Sequence, residues 1–430
     1  MRRTFDALNL AAVRYVVLRG FRPMSELAES VDVDVLIPAA ELERAAPVLL
    51  ASGWVRRRHQ IERYPHVFFD SWVSASGLVR SIDVVTDLCY GPELLTLSGA
   101  ERIVVEADRL DGVRVPMTWA AAFTFALHVA LDKQELSGAN ALRARELVAA
   151  CVSEPGGRER LVDAFGEEAA SFVDAFSALR LAAGVGGIPL LAARARRLAV
   201  LRPRQVLARY DRIRGRIRRL LRPVARVAIL GIDGSGKSTI VSALTASPST
   251  LRVGSGYLGS NSFRTPPTRW MVAWLAHRRA AGDEASIAFR VVANLHSIWW
   301  PIELLVRVMI AEHTSELVLY DRFPLGQDDT DPTTSWGRLV AEYSRFGDRL
   351  LPRPDLVVLL DGDDRTIWER KRESTFEVHQ RTQASYRSLV ARLPGETVTV
   401  YTDRSPSESL LEIKRALAAS PAIRRKIYDA

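Results

Sequence analysis

Apolar and polar residues alternate most strictly in Val31-Asp-Val-Asp-Val-Leu-Ile37, a period of two that predicts a strand. Asp32 and Asp34 then share one face, and Val31, Val33 and Val35 the other. Tyr15–Leu18 and Val79-Arg-Ser-Ile-Asp83-Val-Val85 read as further strands, so residues 1–115 form an α+β unit. From Pro116 to about Ala183 the period becomes helical, with Thr118 as the expected N-cap and breaks near Gly138 and Pro155-Gly-Gly. Residues 184–222 read as a basic amphipathic linker. Beyond it, Val224–Leu230, Leu251–Tyr257, Leu317–Tyr320, Asp355–Leu360 and Thr397–Tyr401 are short apolar runs separated by helical intervals. That alternation predicts an α/β domain over 223–430, a five-stranded parallel sheet of the doubly wound type. In such sheets, ligands bind beyond the C-terminal ends of the strands.

Composition adds limits. The 430 residues exceed one ordinary domain, and 48% apolar with 25% charged residues is normal for a globular protein. Only 5 of the 59 basic residues are lysine, so the net charge of +9 is weak evidence for an acidic partner. Cys89 and Cys151 are too few and too far apart for a disulfide framework or a cysteine-rich zinc site. The N-terminus lacks the apolar core of a signal peptide. The run Leu295–Ile310 is interrupted by His296, Pro301, Glu303 and Arg307, short of a spanning helix. A cytoplasmic location is the expectation. From Arg194 to Arg226 there are thirteen arginines against one acid, Asp211. A connector docked between domains, a membrane-surface helix and a nucleic-acid contact all fit this linker. The connector is favoured, since charged helix faces are usually solvated and Tyr210 alone could stack on a base.

The chemistry centres on Gly231-Ile-Asp-Gly-Ser-Gly-Lys237-Ser238, which satisfies G-x-x-x-x-G-K-[ST], the phosphate-binding loop. An apolar strand precedes it, and a helical pattern from Thr239 follows. Backbone N–H groups of Gly231, Gly234, Ser235, Gly236 and Thr239 and a helix N-terminus would surround an anion. Lys237 would reach the β- and γ-phosphates, and Ser238 would ligate Mg²⁺. In the first segment, Asp32 and Asp34 repel each other on one strand face, and a divalent cation would relieve that repulsion. With Asp83 they could hold two Mg²⁺ ions. The alternative is a solvated edge strand. His128 and Lys133 could reach a substrate, although a helix-face histidine is more often structural. Trp270, Trp274, His277, His296, Trp299 and Trp300 recur at helical spacing and are expected to pack inward.

Two resemblances follow. Gly20 after a strand, Asp32-x-Asp34, Gly53-Trp54, His66 and the lone strand Asp83 resemble the nucleotidyltransferase superfamily over roughly residues 10–150. The resemblance implies Asp32, Asp34 and Asp83 as metal ligands, although Gly20 is followed by Phe21 where that superfamily has Gly-Ser or Gly-Gly. Gly231–Ser238, Asp321-Arg322-Phe323 and Pro354–Asp361, followed by a basic segment, are similar to the thymidylate kinase family over about residues 224–403. That resemblance implies ATP and Mg²⁺, with Asp321 near the metal and Arg322 on the acceptor phosphate or transferring group. It also implies Asp233 near the acceptor sugar and Arg370, Lys371 and Arg372 in a lid over ATP. Arg264 could take the acceptor-phosphate role, but Leu258–Pro267 departs from the family's pattern there. The function expected is transfer of the ATP γ-phosphate to a nucleoside monophosphate or another phosphate- or sugar-bearing acceptor. Mg-dependent nucleotidyl transfer and nucleotide-switched regulation are the alternatives. A small-molecule acceptor is the expected partner, with no stable nucleic-acid partner; membrane-surface contact and a homodimer stay open.

Overall fold

A computed structural model describes residues 1–18, 32–58, 66–74, 77–134, 138–178, 187–203, 223–258, 265–283, 286–323, 351–372 and 375–428. The chain divides into two compact units, residues 1–71 with 80–221 and residues 72–79 with 222–428.

The first unit is built on a five-stranded sheet in the order β1-β2-β5-β4-β3. Its strands are β1 (Val16–Val17), β2 (Asp32–Leu36), β3 (Val55–Arg56), β4 (His66–Ser74) and β5 (Gly77–Val85), the last two counted with this unit except for residues 72–79. Strand β2 pairs antiparallel with β1 and parallel with β5. The predicted alternation holds: Val33 and Val35 are buried while Asp32 is exposed. The solvated-edge alternative fails, because β2 has a partner on each side. Helices α1 (Arg2–Leu10) and α2 (Ala39–Ala51) contribute Phe5, Leu8, Ala45 and Leu49 to the core that also holds Val33, Val35 and Ile82. A second core forms around α4 (Thr118–His128), in which every residue but Thr118 and Ala121 is buried. A helix apolar on all sides must be surrounded. It shares that core with side chains of α3 (Ala100–Val105), α5 (Gly138–Ser153), α6 (Gly157–Phe165), α7 (Glu167–Ala178) and α8 (Gly187–Ala195). The expected breaks fall where α5 begins and where α5 passes to α6. Thr118 is the first helical residue rather than the cap; Met117 holds that position and no side chain caps the helix. Small antiparallel pairings add β6 (Cys89–Tyr90), β7 (Leu95–Leu97) and β10 (Leu201–Pro203), and β8 (Asp108–Leu110) with β9 (Val113–Val115).

The second unit carries the predicted parallel sheet, ordered β12-β13-β11-β14-β15. The strands are β11 (Ala225–Leu230), β12 (Val253–Tyr257), β13 (Leu317–Asp321), β14 (Leu356–Asp361) and β15 (Glu396–Tyr401). Each adjacent pair is parallel. The central strands are buried on both faces, which is why they read as unbroken apolar runs. Helices α9 (Lys237–Ala246), α10 (Pro266–Ala280), α11 (Ile287–Thr314), α12 (Asp364–Arg370), α13 (Phe376–Arg392), α14 (Pro406–Ala419) and α15 (Pro421–Ile427) complete the unit. Of the expected 184–222 linker, residues 184–186 and 204–222 lie outside the described residues, while 187–203 form α8 and β10, with Leu191, Ala192, Ala195 and Leu201 in the core around α4. No helix among them is long and apolar enough to cross a membrane.

Candidate phosphate-binding site

At the end of β11 the chain turns back on itself as no residue with a side chain readily could. Gly231 has φ +145°, and a Cβ there would lie 2.6 Å from Ser235 Oγ and 2.8 Å from the Leu360 carbonyl oxygen. Gly234 has φ +89°, and its Cβ would meet the Ile367 carbonyl at 2.7 Å. Both positions therefore require glycine. The loop delivers the chain to Gly236, from which α9 starts at Lys237, presenting free N–H groups and the positive end of a ten-residue helix.

Lys237 is only 5% exposed. Its Nζ donates to the Ile232 carbonyl at 2.6 Å and lies 3.9 Å from the Asp233 carboxylate. Burial pushes its pKa down to about 8, helped by the Arg322 guanidinium and opposed by Asp233 and Asp321. The ammonium is thus held in a site that gives it less than its full complement of acceptors, where an incoming polyphosphate would supply them.

Asp321 ends β13 directly across from Ile229 of β11 and Tyr257 of β12. Its Oδ2 accepts the Ser238 hydroxyl at 2.8 Å. Its Oδ1 and the Ser235 hydroxyl are buried with no hydrogen-bond partner among the described residues. A hydroxyl held against a carboxylate with an oxygen to spare is a hard donor set that fits Mg²⁺. Arg322 follows in the left-handed region, φ +61°. Its guanidinium pairs with Asp233 and stands 6.0 Å over the Tyr257 ring. Beside Ser238 and Asp321 opens a cavity of about 460 Å³, lined also by Ser242, Thr245, Ser255 and Tyr257.

A clamp at the end of β14 steadies the loop, and sequence reasoning gave it no role. Asp361 accepts two hydrogen bonds from Arg387 at 2.8 Å and one each from Gln383 and the Gly362 N–H. Burial alone would raise its pKa, but these donors, Arg387 first, hold it below the usual carboxylate range. Arg387 also reaches Asp364 at 2.9 Å, tying down the first turn of α12, whose N-cap is Asp363. The Ile367 carbonyl of that helix is the one that Gly234 approaches. Gln383 and Arg387, four apart on α13, were the available signal.

The structure brings together Gly231, Asp233, Gly234, Ser235, Gly236, Lys237, Ser238, Thr239, Asp321 and Arg322. Of the basic segment, Arg370 donates to the Thr402 carbonyl at 3.0 Å and Arg372 lies over the Trp368 ring. Lys371 packs nearest the loop, its Cβ 3.4 Å from where a Gly234 Cβ would sit. Arg264 lies outside the described residues. The aromatic band meets the expectation in part: His296 is buried and Trp274 and Trp300 pack against the cores, but Trp270 and Trp299 are exposed.

In the first unit, Asp34 and Asp83 sit side by side on β2 and β5, and Asp32 pairs in register with Ser81. Asp83 is buried and bonded to His66 Nδ1 at 2.8 Å. Among the described residues no group of three or more His, Cys, Asp or Glu is arranged to hold a metal ion. Gly20 and Phe21 lie outside the described residues. His128 is buried, with Nδ1 against Asp132 at 2.8 Å, while Lys133 is exposed at the end of a π-helical turn over Val129–Lys133.

No protein-family model matches the chain, nor does any curated protein. Among solved structures, a thymidylate kinase from Candida albicans aligns at 18% identity over 48% of this chain and 96% of that one, with a TM-score of 0.35. A deoxyadenosine kinase from M. mycoides, solved with dCMP and dCDP, aligns at 15% identity over 45% of this chain and 98% of that one, with a TM-score of 0.31.

Proposed function

We propose that the second unit is an ATP-dependent phosphotransferase. It passes the γ-phosphate of ATP to a nucleoside monophosphate, dTMP being typical of the family its motifs resemble, or to another phosphate- or sugar-bearing acceptor. The observation that carries the reading is the buried Lys237 inside a glycine cradle, beside the Ser238–Asp321 pair.

Loop amides and the α9 N-terminus would hold the β- and γ-phosphates. Lys237 would exchange its Ile232 carbonyl for phosphate oxygen, following the charge as the bond between the β,γ-bridging oxygen and the γ-phosphorus breaks. Ser238 and Asp321 would hold Mg²⁺, which when bound neutralises charge on the phosphoryl oxygens. Arg322, tethered by Asp233, would exchange that carboxylate for the acceptor's phosphate or the transferring group. Tyr257 and the hydroxyls of Ser242, Thr245 and Ser255 would line the acceptor's approach. A bond forms from acceptor oxygen to phosphorus, and ADP leaves. Such chemistry depends mainly on positioning and charge, which these residues supply.

A screen of nucleoside monophosphates and sugar acceptors for ADP release from Mg-ATP tests the reading. One acceptor class should stimulate release, and Asp321→Asn should lower turnover by ~10²-fold or more. Folded protein that gives no heat with Mg-ATP in calorimetry would refute it. Pyrophosphate release that survives Lys237→Ala but not Asp34→Asn would move the chemistry to the first unit.

A further inference from the structure

The groove beside the phosphate-binding loop has a chemistry that narrows the acceptor. It follows one face of α9 from Ser238 through Ser242 to Thr245, and Ser255 and Tyr257 of β12 form the wall opposite. Two helical turns separate Ser238 from Thr245, so the groove reaches ~10 Å from the Ser238–Asp321 pair. Its volume, about 460 Å³, suits a small molecule. Ser242, Thr245 and Ser255 bring exposed hydroxyls to it. Each hydroxyl can give one hydrogen bond and accept others; that of Thr245 donates to the Val241 carbonyl at 2.7 Å and keeps its acceptor side. Among the described residues that line the groove, Asp321 alone carries a charge.

We infer that the acceptor lying in this groove is an uncharged polyhydroxy compound, a sugar or a linear polyol, and not a nucleoside monophosphate. The inference rests on the phosphotransfer reading and names its substrate class. Closely spaced hydroxyls match a compound whose own polar groups are hydroxyls, and the Tyr257 ring offers an apolar wall to its C–H face. A monophosphate would bring close to two negative charges into a groove whose described wall holds a carboxylate and no cation. A hydroxyl acceptor also needs a base, which an ionised phosphate does not. Asp233 is placed to be that base: it pairs with Arg322, whose guanidinium stands over the Tyr257 ring. As Arg322 turns to the transferring group, the Asp233 carboxylate is released to take the hydroxyl proton. The acceptor oxygen bonds to the γ-phosphorus while the bond from that phosphorus to the β,γ-bridging oxygen breaks. ADP leaves with that electron pair, and the proton passes from Asp233 to water.

ADP release from Mg-ATP by the full chain is measured with hexoses, linear polyols, sugar phosphates and nucleoside monophosphates, each at millimolar concentration. A hexose or polyol should stimulate release, and the phosphate-bearing compounds should not. Thr245→Val keeps the side chain's shape and removes its hydroxyl; combined with Ser255→Ala it should raise the KM for that acceptor by ~10-fold or more. The double variant should give the parent's heat with Mg-ATP, which shows that it is folded. Asp233→Asn should lower kcat by ~10²-fold. Heat with Mg-ATP together with release stimulated only by a phosphate-bearing acceptor, or by no sugar or polyol, overturns this inference alone. So does sugar or polyol turnover that the double variant leaves unchanged. Folded protein that gives no heat with Mg-ATP refutes the phosphotransfer reading, and this inference with it.

Discussion

Lys237→Met is expected to lower ATP turnover by ~10³-fold or more and, at pH 7, to raise the unfolding temperature of the ligand-free protein. The catalytic loss would follow, on the proposed function, from removing the cation that tracks the γ-phosphate. The gain follows from desolvation. With a pKa near 8 in the fold, Lys237 is less protonated there than in the unfolded chain, where lysine titrates near its ordinary 10.5. The penalty is therefore full below pH 8 and relieved as pH rises from about 8 to 10.5, because the unfolded state binds more protons in that window. Its size at pH 7 is on the order of 3 kcal/mol. Losing the hydrogen bond to the Ile232 carbonyl returns ~1 kcal/mol or more of that, so a net gain of ~1–2 kcal/mol is expected. Scanning calorimetry at pH 7 and pH 9.5 checks it: the variant's advantage should shrink at the higher pH. A Met variant that unfolds earlier than the parent at pH 7 would contradict the desolvation account. The same shift predicts that Mg-ATP binding at pH 8 takes up about half a proton, visible as a buffer-dependent binding enthalpy.

Arg57→Met is expected to cost ~3–5 kcal/mol of stability without touching the phosphate-binding loop. Arg57 and Asp70 are 4% and 0% exposed and meet through two bonds of 2.8 and 2.7 Å, with Ser81 Oγ 3.1 Å from the guanidinium. Removing the cation strands a carboxylate in the interior. Arg57→Met with Asp70→Leu should recover to within ~1 kcal/mol of the parent, because an apolar pair needs no desolvation of charge. Urea midpoints for the two single variants and the double variant measure the coupling. Simple additivity would show that the pair is not the unit described.

What the sequence made legible was local. Strict alternation at β2 and unbroken apolar runs at β13 and β14 betray their burial, and glycine spacing betrays a loop whose dihedrals few other residues tolerate. Long-range partners were not legible. Arg57 stands in Arg56-Arg57-Arg58-His59, which reads as a solvated cluster, yet the middle residue lies in the interior. Asp361 announces a strand end but not that Gln383 and Arg387, on a helix 22 and 26 positions away, close over it. The aromatic band around α11 misled in part, for a definite reason: helical periodicity reveals apolar faces, and when two are apolar it does not say which one the core takes.

Arg322 holds its side chain in place on a strained backbone. In the left-handed region a glycine would relax the turn, whereas an arginine bears ~1 kcal/mol of backbone tension. In return its guanidinium is held by Asp233 over Tyr257, already in place, on the proposed reading, for an acceptor's anion or the transferring group. The rotamer freedom of a long side chain is surrendered once, as the chain folds, and not again at each encounter. A flexible lysine at 322 would carry the same charge and lack that readiness.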